Sequence, residues 1–266
     1  MDVSLIIPVY NAAAFLRQSL EDIHISLCGQ KSETWELLLV DDASPDRALE
    51  ICREFASSPR PYAVKVLSNE RNLGKGAAVR HGMLHATGKY RLFNDCDLAY
   101  PMSEILKVLE VLKSGADVAI ASRGLEDSLY IFSPKDFRYL YTRHVASRFL
   151  NYLIQRLFLP KYADTQAGLK GFTAPAAEFL FSQSHLDGFS FDLELLYLAT
   201  KASLMIREVP VRFYVQRVTT VDLSFEALRM FRDILRILYG NARGRYRFDA
   251  KTSQKAGLRE ETDHPR

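Results

Sequence analysis

Four short apolar runs in the first half of the chain each stop on a polar cluster, and this repeat constrains the fold more than any other feature. Residues 3–9 give way to Tyr10 and Asn11, and residues 35–40 to Asp41 and Asp42. Residues 63–67 run into a polar loop from Asn69 to Lys75, and residues 90–93 end at Asp95-Cys96-Asp97. Between them the spacing becomes helical. After Asn11 the apolar residues are Phe15, Leu16, Leu20, Ile23 and Leu27, and segments 45–56, 75–86 and 101–113 read as further helices. Residues 118–121 form a fifth strand pattern. Buried strands alternating with helices predict an α/β fold with a mostly parallel central sheet covered on both faces. Such sheets bind ligands beyond the carboxyl ends of their strands, so the four clusters are expected to converge on one edge.

The second half changes character. Residues 135–159 form a long helical pattern rich in Tyr, Phe, Leu and Arg, followed by the polar, glycine-containing stretch DTQAGLKGF at 164–172. Helices are expected near 174–183 and 190–202, a strand pair around 204–214, and a last helix over 222–239. The polar, charged tail from 249 to 266 is expected to be disordered. A chain of 266 residues suits one large α/β domain with an appendage. Its division is read as a domain over 1–216, a helical appendage over 217–248 and the tail. Trp35, at a strand start, is expected in the core.

Charge and cysteine usage exclude some classes. A net charge of +3 falls short of the basic balance of a nucleic-acid binder. Cys28, Cys52 and Cys96 form no CxxC or Cys/His cluster and read as reduced thiols of a cytosolic protein. The N-terminus has an acid at Asp2 and runs directly into a strand, unlike a signal peptide. No stretch approaches the ~18 uncharged apolar residues that span a bilayer. A membrane role would therefore be played at the surface or through a partner. On a helical wheel Arg229, Arg232, Arg236 and Arg243 fall within roughly 60° of one another. Leu228, Phe231, Ile234, Leu235 and Leu238 lie mostly opposite. This amphipathic pattern suits an anionic surface, and equally a terminal helix packed on the domain with a solvated face.

The strand-end clusters carry the chemistry. Two carboxylates at i and i+2, Asp95 and Asp97, can reach one hard cation, which would also hold a nucleotide diphosphate. That cation would act as a Lewis acid on the leaving group. The plainer alternative is a turn in which Asp97 caps the next helix; the position after the fourth strand favours the cation. Asp41 and Asp42 can accept hydrogen bonds from a nucleobase N–H or a ribose hydroxyl, or be solvated turn residues. Ser44 is expected to cap the helix that follows, with Pro45 in its first turn. The loop Asn69 to Gly76 opens a helix with Lys75 at its start, which favours phosphate. It lacks P-loop spacing, and an ordinary glycine turn is the alternative. His24, His81, His85 and His144 form no ligand set.

Taken in order, IIPVYN at 6–11, VDDAS at 40–44, NLGKG at 72–76, DCD at 95–97, ASR at 121–123, DTQAGLKGF at 164–172, FDLELL at 191–196 and EVPV at 208–211 are informative as a set. The chain resembles the family-2 glycosyltransferases, and within them the polyprenyl-phosphate (dolichyl-phosphate) glucosyl- and mannosyltransferases. The resemblance implies a GT-A fold and Mg²⁺ or Mn²⁺ as cofactor. It implies inverting transfer of a hexose from a UDP- or GDP-sugar to a polyprenyl phosphate. Residue by residue, Pro8, Tyr10 and Asn11 would line the nucleoside site, Asp41 and Asp42 would contact base and ribose, and Lys75 would lie near the nucleotide. Asp95 and Asp97 would hold metal and diphosphate, Arg123 would bind the acceptor phosphate, and Asp164 and Gln166 would sit at the reaction centre. Arg138, Arg217 and Thr219 are further candidates for the acceptor phosphate. Ala43 stands where the family often has glycine, and Val218-Thr219-Thr220 replaces a Gly-Ser-Lys, so a lysine charge is missing that Arg217 would have to supply.

A phosphate monoester has its second pKa at about 6. It is therefore ionised near neutral pH and needs positioning and charge neutralisation more than a base. Transfer to a hydroxyl of a glycan or lipid would instead need a general base, for which Asp164 and Asp192 are the candidates. A catalytically silent nucleotide-sugar-binding module is the reading from another class. The resemblance places the protein at the cytoplasmic face of a membrane as a peripheral protein, with a separate membrane subunit as a further candidate partner. Segment 135–159 would then be an interfacial helix rather than a core helix with snorkelling arginines.

Overall fold

The structure is a computed structural model that describes residues 1–131, 159, 162–215 and 223–246, the side chains of 223–228 excepted. Most of the expected 135–159 helix, Arg138, Arg217, Thr219 and the tail from 249 lie outside the described residues.

The strands are β1 (Val3–Val9), β2 (Trp35–Asp41), β3 (Ala63–Ser68), β4 (Tyr90–Asn94), β5 (Val118–Ser122), β6 (Leu129–Ile131), β7 (Leu169–Thr173), β8 (Ile206–Pro210) and β9 (Arg212–Tyr214). The helices are α1 (Ala13–Cys28), α2 (Ala48–Ser57), α3 (Lys75–His85), α4 (Met102–Lys113), α5 (Ala174–Gln183), α6 (Phe191–Lys201) and α7 (Leu223–Ala242).

Seven strands form one sheet in the order β3-β2-β1-β4-β7-β5-β8. All neighbours are parallel except β7, which lies antiparallel between β4 and β5. Strand periodicity then divides the core. On β1, Val3, Leu5, Ile7 and Val9 face the cluster that contains residues of α1, α2 and α4, whereas Ile6 faces the cluster of α3, α5, α6 and α7. Helix α1 answers with Leu16, Leu20, Ile23 and Leu27, one apolar stripe at helical spacing. Trp35 is buried as expected. Pro8 is tolerated inside a central strand because the β1–β4 ladder stops at the pair Ile6–Phe93, before the proline.

Two expectations about strands change. The stretch 164–172 is only half a loop, since Leu169–Thr173 is β7. The expected strand pair around 204–214 is no hairpin. β8 joins β5 in the main sheet, and β9 joins β6 in a separate two-stranded sheet. Pro210 ends β8 at the sheet's edge, where a missing N–H costs little.

Candidate active site

The carboxyl ends of β1, β2 and β4 carry the expected clusters, and the backbone is strained there. Asn11, Ala43 and Leu98 adopt positive φ angles of 50°, 55° and 50°. Left-handed conformations are unfavourable for residues with a Cβ, and they collect where surrounding structure enforces them. Ala43 occupies the position where glycine would be expected on conformational grounds.

The two adjacent aspartates at the end of β2 have different work. Asp42 accepts from Asn69 Nδ2 at 2.7 Å, Leu73 N at 3.0 Å and Gly74 N at 2.7 Å. It thereby holds the turn that opens α3, where Gly74 takes a φ of 108°. Asp41 accepts from Ser44 N at 3.1 Å through Oδ2, while its buried Oδ1 has no partner. Of the two, Asp41 has an acceptor to spare for a ligand. Ser44 does not cap α2, which begins only at Ala48; its Oγ accepts from Asn11 N at 3.1 Å and ties the β1 and β2 ends together. Asp46 Oδ1 receives Ala48 N instead. Tyr10 is exposed beside this loop, and Pro8 is buried within β1.

Three cations in the site are each paired with a carboxylate. Lys75 Nζ, at the start of α3, lies 2.6 Å from Asp95 Oδ1. Arg123, just after β5, grips Asp164 through Nε at 2.6 Å, Nη2 at 3.1 Å and its own N–H at 3.1 Å. Lys170, in β7 and 0 % exposed, lies 2.8 Å from Asp192 Oδ1 in the first turn of α6. Its ammonium also donates to Ala167 O at 2.7 Å. Burial alone would raise the Asp164 carboxyl, but the Arg123 guanidinium and the N–H of Gln166 override it and hold it at about 2. Lys170 is pulled below its usual range because burial outweighs Asp192, and Asp192 is raised by its own burial against the pull of Lys170. Gln166 N donates to Asp164 Oδ1 at 3.0 Å, and its side-chain amide reaches Met230 of α7.

Asp97 is left over. Among the described residues no cation forms an ion pair with it, and its Oδ1 accepts from Ala99 N at 3.1 Å. Burial, and then Asp95 beside it, push its carboxyl up to about 6. Cys96 between them is raised by burial and both carboxylates, so it is a thiol in the metal-free protein. Two carboxylates with surplus negative charge suit a divalent ion that completes its shell with substrate phosphates. No group of three His, Cys, Asp or Glu suited to a metal occurs among the described residues, so an all-protein cage is not formed there. Asp97 also lines a cavity of about 590 Å³ with Phe15, Ile25, Met102 and Tyr214.

Sequence reasoning missed two parts of the site. Lys170 lay unrecognised in a stretch given no secondary structure; the alternation Leu169-Lys170-Gly171-Phe172 was the available signal of a strand. Gly168 is the other. A Cβ there would overlap Asp95 Oδ2, so glycine lets the 164–168 segment close on Asp95.

The comparisons agree with this architecture. Glycosyl transferase family 2 matches residues 4–181. A dolichyl-phosphate beta-glucosyltransferase of Drosophila melanogaster is 32% identical over 89% of this chain and 74% of its own. The enzyme of the same name from Saccharomyces cerevisiae is 29% identical over 94% and 78%. Glucosyl-3-phosphoglycerate synthase from Mycobacterium tuberculosis, solved with Mn²⁺, UDP-glucose and phosphoglyceric acid, superposes with a TM-score of 0.61 at 18% identity, covering 98% of this chain and 81% of that one. The fold is that of the GT-A glycosyltransferases, and the chain is a glycosyltransferase. It belongs to glycosyl transferase family 2.

Proposed function

We propose that this protein transfers glucose, with inversion, from UDP-glucose to the phosphate of a polyprenyl lipid of the dolichyl type. The observation that carries the acceptor is the state of Asp164 and Asp192. Both candidate bases are tied to cations, Asp164 by Arg123 at 2.6 Å and Asp192 by Lys170 at 2.8 Å. Asp164, held in its ion pair at a pKa of about 2, is a poor proton acceptor, and Asp192 is buried against Lys170, away from an incoming hydroxyl. That disfavours a hydroxyl acceptor, which must be deprotonated, and suits a phosphate that arrives ionised. UDP-glucose is favoured over a GDP-sugar by the glucosyltransferase relatives and by the UDP-glucose bound to the synthase.

Asp95 and Asp97 would hold Mg²⁺ or Mn²⁺. When bound, that ion supplies Lewis-acid stabilisation of the departing diphosphate. Asp41, through its partnerless Oδ1, accepts from the nucleoside, with Tyr10 and Asn11 beside it. Arg123, with further N–H donors beyond those given to Asp164, draws the acceptor phosphate in, and Asp164 keeps its guanidinium oriented. Arg138, Arg217 and Thr219 remain candidates for the same phosphate.

Access to such an acceptor points to a peripheral membrane protein. No helix among the described residues is long and apolar enough to cross a membrane. On α7, Met230 and Ile237 enter the core, whereas Phe231, Leu235, Leu238 and Tyr239 are exposed. Arg232 and Arg236, 59% and 58% exposed, share the outward side. The helix thus has an apolar and basic outer face, suited to an anionic headgroup layer on the cytoplasmic side.

The test is nucleoside diphosphate release. The protein is incubated with Mn²⁺ or Mg²⁺ and UDP-glucose or GDP-mannose, with and without a short polyprenyl phosphate. Release from UDP-glucose that requires the lipid, with an acid-labile product, is expected. Release that requires a glycan or alcohol instead refutes the phosphate acceptor.

A further inference from the structure

Lys75 is poorly placed to wait for a nucleotide. Its side chain is only 15 % exposed, and its ammonium lies 2.6 Å from Asp95 Oδ1. The turn before it is fixed from both sides. Asp42 takes the N–H groups of Leu73 and Gly74, and a Cβ at Gly74 would come within 2.5 Å of Asp187 O. Gly168 packs beside the other oxygen of Asp95, where a Cβ would overlap it. Asp95 therefore meets the lysine ammonium on one oxygen and has Gly168 close to the other, with the side chain still 33% exposed. A single positive charge thus sits on the carboxylate that a divalent ion would need. A divalent ion on that carboxylate would sit against the ammonium, and the two positive charges repel.

We propose that Lys75 is a built-in counter-ion of Asp95 that a divalent cation must displace, and that a nucleoside diphosphate, by accepting the released ammonium, couples its own binding to that of the metal. The second half rests on the proposed donor chemistry; the first does not. Without a diphosphate, the evicted ammonium has Asp192 as its remaining buried counter-charge, and Lys170 already occupies one oxygen of that carboxylate at 2.8 Å. With a diphosphate present, Lys75 exchanges one anion for another. It stands at a helix N-terminus, where the backbone N–H groups and the helix dipole favour phosphate. Metal and nucleotide then strengthen each other by the same factor, as linkage requires.

The experiment measures Mn²⁺ binding to the full chain by the electron paramagnetic resonance signal of free Mn²⁺, alone and with UDP or GDP. Wild type is expected to bind Mn²⁺ weakly alone and about tenfold or more tightly with the matching nucleotide. Lys75→Met is expected to bind Mn²⁺ alone about tenfold more tightly than wild type, and to lose most of the nucleotide enhancement. Lys75→Arg keeps the charge and is expected to keep the wild-type affinity and enhancement, which separates competition from a folding defect. Equal or weaker Mn²⁺ binding by Lys75→Met overturns the displacement, as does tightened binding by Lys75→Arg. If Lys75→Met tightens but neither nucleotide enhances binding to wild type, the displacement stands and the coupling falls, together with the nucleotide-donor reading.

Discussion

Asp97 makes the metal-free protein less stable than it need be, and the structure sets the size of the effect. Burial and the adjacent Asp95 raise its carboxyl from the ordinary 3.8 to about 6. At about 1.4 kcal/mol per pKa unit, that difference corresponds to an upper bound of about 3 kcal/mol. Part of the deficit is shared with Asp95, so about 2 kcal/mol is expected to be recovered at pH 7.5 by Asp97→Asn. The variant is neutral, similar in size, and keeps a carbonyl oxygen for the N–H of Ala99. The sign follows from linkage. The folded state holds this proton more tightly than the unfolded state, so the contribution to stability is full below pH 4, falls as pH rises from about 4 to 6, and is absent above. Glu36 and Asp164, both lowered to about 2, lose their contributions at more acid pH and do not obscure this window. His81, lowered by burial and by His85, acts in the opposite direction near pH 6. The informative quantity is therefore the difference between variant and wild type, from urea unfolding with chelator at pH 5 and 7.5. A gain of about 2 kcal/mol at pH 7.5 that shrinks towards pH 4, with loss of transfer activity, is expected. A variant no more stable than wild type at pH 7.5 would refute the charge-surplus argument.

Other perturbations test other parts of the structure. Ala43→Gly relieves a φ of 55° and should stabilise the fold by about 0.5–1 kcal/mol, after the extra chain entropy of glycine is subtracted; a lower urea midpoint would contradict this. Lys170→Met strands Asp192 in the interior and should cost about 3–5 kcal/mol, most of it recovered when Asp192→Leu is added, as read by a double-mutant cycle. Serine at both Phe231 and Leu235 should abolish sedimentation with anionic vesicles and change stability by only about 0.5 kcal/mol, since both side chains are half exposed. Unchanged vesicle binding would remove α7 from the membrane-facing surface.

The sequence made the parallel half of the fold legible because each strand ended on residues that could not continue it. Val9 to Tyr10, Val40 to Asp41 and Phe93 to Asn94 are abrupt changes from apolar to polar side chains. β7 was hidden for the opposite reason. Lys170 puts a charge in the middle of a buried strand, and its partner Asp192 lies 22 positions away on a helix. Local patterning cannot reveal a charge whose burial depends on a distant counter-charge. The same limit applies to Ser44, which looks like a helix cap until Asn11, on another loop, claims its hydroxyl oxygen. On α7 the wheel identified the arginine side but not the outward direction of Phe231 and Leu235, because Met230 and Ile237 take the core-facing positions.

Charge pairing also explains how one site can serve two anionic substrates. Asp95 and Asp164 each neutralise a partly accessible cation that could otherwise hold a phosphate, and Asp192 neutralises a sealed one. Lys75 and Arg123 are the two partly accessible cations of the set, whereas Lys170 is sealed. The accessible pairs can exchange a carboxylate for a substrate phosphate, and the sealed pair cannot. An anion must therefore bring enough charge, or a divalent ion, to displace a carboxylate before it is bound. A diphosphate with its metal satisfies that condition at Lys75, and a phosphate monoester approaching Arg123 satisfies it by adding its charge to a fork that Asp164 has already oriented. On the proposed reading a neutral hydroxyl would satisfy it at neither, and the pairing would select among acceptors as well as assemble the site.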